Sequence, residues 1–174
     1  MGETGLGPGG LVLVASILGG AEARFDCASA DGTGTFGKLG ASTGLYLLLN
    51  CKEEKPAGCK LSAASEKEID ANFTGQQETT GLTLFIGSGA GEEFTTYTIE
   101  SKPGETCVVN GAQKITGRQM AETSTAAAVD QTATAKKAES FLKLGTEKAS
   151  ASGVGKFHLG GANLGSAWLT MNGE

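Results

Sequence analysis

The stretch FTTYTIE, residues 94–100, places Tyr97 and Ile99 on one side of an extended chain and Thr96 and Thr98 on the other. Period-two alternation of this kind marks a strand with one face buried and one face wet. Shorter pieces repeat the pattern. Phe157 and Leu159 share a face, as do Ala167, Leu169 and Met171. Glycine- and proline-containing turn signals fall at short intervals, among them Asp31-Gly32, Lys102-Pro103-Gly104 and Asn172-Gly173. The strands predicted between them are 44–51, 69–74, 82–86, 94–100, 106–109, 140–144, 154–159 and 164–171. Asn110-Gly111, between TCVV and AQKIT, predicts a tight hairpin, because a type I′ turn needs positive φ at both central residues. Residues 121–138 carry enough alanine for a helix, but their interleaved threonines favour strands.

The expected fold is therefore all-β: an antiparallel β-sandwich, jelly-roll or immunoglobulin-like, with an extended N-terminal strand. At 174 residues the chain suits one domain, assigned to residues 24–174, preceded by an N-terminal extension over residues 1–23. Glycine, alanine, threonine and serine make up nearly half of it, as suits thin, closely packed strands joined by many turns.

Composition narrows function. There is one histidine, His158, and it lies in a predicted strand with no G-x-S-x-G elbow to serve, so no catalytic triad is read here. The net charge of −5 and the lack of any Lys/Arg block leave no footprint for nucleic acid. Gly32, Gly34 and Gly37 match a dinucleotide fingerprint, but KLGASTG is no helix and Leu39 stands where a phosphate loop needs Ser or Thr. In a chain this rich in glycine the pattern arises by chance. Glu66, Glu68 and Asp70 would share a face if extended, as in a hard-cation site, but a solvated strand edge with Lys67 opposite is the better explanation, because charge on an edge discourages unwanted strand pairing. No catalytic residue, cofactor, metal or small-molecule substrate is expected. Asn72-Phe73-Thr74 matches a glycosylation sequon.

Cys27, Cys51, Cys59 and Cys107 form an even set without a C-x-x-C pair, which points to disulfides and an oxidising, extracellular setting. Two pairings stay open: Cys51–Cys59 with Cys27–Cys107, or Cys27–Cys51 with Cys59–Cys107.

The apolar run LVLVASIL, residues 11–18, is too short to span a bilayer as a helix, which needs about 20 residues. Leu11, Leu13 and Ile17 fall on one face, with Val12, Val14 and Leu18 on the other. Such a strand can complete its own sheet, or it can be supplied in trans to a neighbouring subunit by β-augmentation. The glycine-rich flanks GETGLGPGG and LGGAEA favour a strand able to swing away from its parent domain.

FTTYTIES, TCVVNGAQKITG, FLKLGTEKASASG and the closing GSAWLTMNGE give residues 94–174 a cadence that resembles secreted Gly/Ala/Thr-rich β-domain proteins of bacteria. An apolar N-terminal strand before a cysteine-stapled β-domain is similar in plan to donor-strand pilus subunits. The resemblance implies secretion and strands, and no activity. The expectation is a structural subunit of an extracellular filament or pilus, a head-to-tail homopolymer in which residues 11–18 pair with the next copy. A virion structural or decoration protein with a docking arm, or a small secreted binding domain, are the alternatives.

Overall fold

The computed structural model describes residues 2–6, 11–16, 22–36, 41–79, 81–123 and 130–159. The strands are β1 (Gly2–Leu6), β2 (Leu11–Ser16), β3 (Glu22–Phe36), β4 (Ala41–Lys55), β5 (Cys59–Leu61), β6 (Glu68–Thr79), β7 (Leu82–Gly87), β8 (Glu93–Ser101), β9 (Gly111–Thr123), β10 (Asp130–Leu144), β11 (Glu147–Ser152) and β12 (Val154–Leu159). A short helix, α1 (Ala63–Lys67), precedes β6. The strands pair antiparallel throughout the described residues, so the all-β expectation holds.

The two layers of a sandwich are not separate sheets. A single sheet runs β1-β12-β10-β11-β2-β3-β4-β6-β7-β9-β8-β5, and β10 also bonds β9 while β1 also bonds β3. Through β10–β9 the circuit β2-β3-β4-β6-β7-β9-β10-β11 closes on itself, so the strands within it have partners on both sides.

Three local devices bend the strands. Asn50 (φ 51°) interrupts the alternation of β4, so that Leu48 faces inward before it and Cys51 and Glu53 after it. Gly117 (φ 108°) marks the point where β9 leaves β8 and joins β7, its N–H donating to the Glu92 carbonyl at 2.8 Å. At the start of α1 the Ser62 hydroxyl accepts from the Ser65 N–H at 3.3 Å, and the Ser65 hydroxyl accepts from the Thr98 N–H at 3.1 Å, tying the helix to β8.

The core draws Leu13 and Ala15 from β2, Ala23 and Phe25 from β3, Leu61 from β5, Tyr97 and Ile99 from β8, Leu142 and Leu144 from β10, and Ala149 and Ala151 from β11. Tyr97 and Ile99 share the buried face expected of FTTYTIE. Two disulfides staple this region, Cys27–Cys51 across β3 and β4 and Cys59–Cys107 from β5 to the loop before β9. The second of the two open pairings is thus the one observed.

Two expectations need correction, the strand at 106–109 and the hairpin at Asn110-Gly111. Residues 106–109 form no strand, and Asn110-Gly111 is not a type I′ hairpin turn, because Gly111 has positive φ and Asn110 does not. Register pairs Ile99 with Gly111, leaving a long β8–β9 connection instead. Residues 23 and 24, at the expected division, both lie in β3. In residues 121–138, the described parts are strand, in β9 and β10. Residues 164–171 lie outside the described residues.

Candidate functional site

The described part of the N-terminal apolar run, β2, occupies a slot in the wall. β2 pairs with β3 along one edge, Leu13 opposite Phe25 and Val14 opposite Arg24, and with β11 along the other, Leu13 opposite Ala151 and Val14 opposite Ser150. Leu11, Val12, Leu13 and Val14 all lie in this strand, and within one chain they pair in cis. Alternation runs as the sequence reads: Leu13 and Ala15 are buried, whereas Val12 and Val14 are half-buried on the outer face. Ile17 and Leu18 lie outside the described residues. The outer face beside Val14 carries the Arg24–Asp26 pair, with the guanidinium donating to both carboxylate oxygens at 3.1 and 3.2 Å.

Beneath β2 the inner face presents one cross-strand row, Ala151, Leu13, Phe25 and Glu53, from β11, β2, β3 and β4. The Phe25 ring meets Tyr97 from β8, with centroids 4.9 Å apart and planes tilted by 50°. Glu53 ends this row and is out of place by composition. It is 9% exposed, and neither carboxylate oxygen has a hydrogen-bond partner. Burial pushes its pKa up to about 8, and the backbone of Arg24 offsets only part of that penalty. Burial, and then the neighbouring Glu53 charge, push the Tyr97 hydroxyl well above its usual range.

Composition and motif spacing do not single out Glu53. A signal is nevertheless present in the i, i+2 relation of Glu53 to Cys51: once Cys51 is inside a disulfide in the core, an uninterrupted strand turns Glu53 inward as well.

A second feature is an open cleft of about 710 Å³ between α1, β6 and the start of β8, with Glu68, Asp70, Asn72, Phe94 and Thr96 on its walls. Glu66 lies in α1, so the three expected carboxylates do not line one strand face. Among the described residues no group of three or more His, Cys, Asp or Glu side chains is placed to hold a metal ion. Asn72 of the sequon is exposed on β6. Gly32 and Gly34 of the dinucleotide-like motif lie within β3, paired with Tyr46 and Gly44. His158 lies in β12, paired with Glu3 and Asp130.

Among the described residues no helix is long and apolar enough to cross a membrane, and with two disulfides this is compatible with an extracellular protein. No protein-family model, curated protein or solved structure matches the chain.

Proposed function

We propose that the protein is a structural subunit of an extracellular filament or pilus, and that it polymerises by exchanging the strand at residues 11–18 between neighbouring copies. The supporting observation is the slot itself. β2 contributes Leu13 and Ala15 to the core and is bonded along both edges, to β3 and to β11. A strand with those attributes can fill the same slot in its own chain or in the next, because it meets the same neighbours in either case. Exchange between copies is head-to-tail, and a heterologous contact that does not close propagates as a filament.

Negative-stain electron microscopy of the oxidised full-length chain tests this reading. Filaments are expected, and deletion of residues 1–20 is expected to abolish them. Monodisperse particles at all pH values from about 5 to 9 would contradict it.

The cleft of about 710 Å³ favours a second reading, a small secreted binding domain whose ligand contacts Asp70, Asn72 and Thr96. That reading requires no filament, and substitutions in the cleft rather than in β2 would impair it.

A further inference from the structure

A buried carboxyl group without a partner is unusual enough to require an account, since burial of an unbonded polar group costs on the order of 1–3 kcal/mol and far more once it is charged. Glu53 is such a group. It stands in the same cross-strand row as Leu13, with Phe25 between them, so the strand held to exchange and the unbonded carboxyl share one stretch of core.

The surroundings leave the carboxyl little alternative to the neutral form while β2 is docked. Tyr97, from β8, is the titratable group facing it. From β3 the Arg24 backbone acts on it, while the Arg24 guanidinium pairs with Asp26. The residues that β2 and β11 bring to this core, Leu13, Ala15, Ala149 and Ala151, do not titrate, and neither do Leu61 and the disulfide-bonded Cys59 of β5. Among the described residues no cationic side chain reaches the site to hold an anion there.

We propose that Glu53 is a pH-sensitive latch on β2: protonated, it allows the core to close over the docked strand, and once it loses its proton to solvent it draws water into the row and releases β2. Withdrawal of β2 takes Leu13 and Ala15 away from Phe25 and opens the core to water, in which a carboxylate is stable. The released state therefore binds the proton more weakly than the docked state, and by linkage a rise in pH favours release. The latch acts on β2 in its slot whether the strand comes from the same chain or the next, so a rise in pH speeds exchange between slots and a return to low pH fixes the exchanged strands; this consequence for filaments rests on the strand-exchange reading.

Amide hydrogen exchange of Val12 to Ala15, with Tyr97 and Ile99 of β8 as internal reference, tests the latch in the full chain and in Glu53→Gln and Glu53→Met, the second neutral variant guarding against a folding defect of the first. After correction for the intrinsic base-catalysed rate, the β2 opening constant of the wild type should rise by up to about tenfold per pH unit between pH 5 and 8, then level off. Both variants should be flat, and β8 should lag behind β2. A pH-independent β2 in the wild type, the same rise in the variants, or equal opening of β2 and β8 would overturn the latch. If β2 opens as expected at pH 8 but chains opened there and returned to pH 5 to 6 form no filaments, the latch stands and the strand-exchange reading fails.

Discussion

Phe25 and Glu53 are register partners across β3 and β4, so one of the largest fully buried side chains of the protein sits directly beside a carboxyl group whose oxygens have no hydrogen-bond partner. The pairing makes core stability depend on proton concentration. With the Glu53 pKa at about 8 against 4.5 in the unfolded chain, the folded state binds the extra proton between those values. Stability is then undiminished below about pH 4.5, falls as pH rises toward 8 and is level above it. Glu92 and Glu93 act in the opposite sense: hydrogen bonds from Arg118 and Lys114 hold their carboxyls below the ordinary range, and that contribution is lost as pH falls. Thermal melting should therefore peak on the acid side of neutrality. Glu53→Gln should raise stability by about 1–3 kcal/mol at pH 8 and leave it nearly unchanged at pH 4.5.

The two faces of β2 should respond differently to truncation. Leu13 is 2% exposed, so Leu13→Ala should cost about 2–5 kcal/mol in urea unfolding, through lost burial and the cavity left beside Phe25. Val14→Ala on the half-buried outer face should cost less than about 1 kcal/mol.

Reduction should act unequally on the two disulfides. Cys27–Cys51 closes 24 residues of separation and Cys59–Cys107 closes 48, for which loop-closure entropy gives about 3.5 and 4 kcal/mol respectively. Paired alanine replacement at 59 and 107 should lower the melting temperature at least as much as replacement at 27 and 51. It should also free the loop before β9, read as faster exchange of the Asn110 amide, whose N–H donates to the Cys107 carbonyl.

Gly117 should not accept a side chain. A Cβ there would meet the Phe141 carbonyl oxygen at 2.2 Å, on a backbone with φ 108°. Gly117→Ala should destabilise by more than about 2 kcal/mol, with the largest loss of amide protection where β9 passes from β8 to β7.

Most of the β character was legible because alternation and turn residues act locally. Tyr97, Ile99 and Leu13 face inward as their spacing requires. β3 was not legible: EARFDCASADGTGTF mixes charges and glycines, and pairing with β1, β2 and β4 makes it a strand. The hairpin expected at Asn110-Gly111 failed for a related reason: Gly111 pairs with Ile99, so the dipeptide ends a long connection instead of turning between adjacent strand ends. Glu53 was hidden by the break at Asn50, which reverses the faces of β4 midway along the LLLNCKEE run, so counting from Leu48 puts Glu53 outside, whereas counting from Cys51 puts it inside.

Strand exchange itself is tested most directly by covalent capture. Val14 and Ser150 are register partners between β2 and β11. One preparation carries Val14→Cys and another Ser150→Cys; the two are mixed under reducing conditions mild enough to leave the native disulfides intact, then allowed to assemble and oxidised. Neither chain can link these positions within itself. Exchange predicts a disulfide between the cysteine introduced at position 14 of one chain and that introduced at position 150 of another, found by mass spectrometry in the filament fraction. Recovery of uncrosslinked chains alone, or of dimers joined only through two copies of the same position, would contradict it.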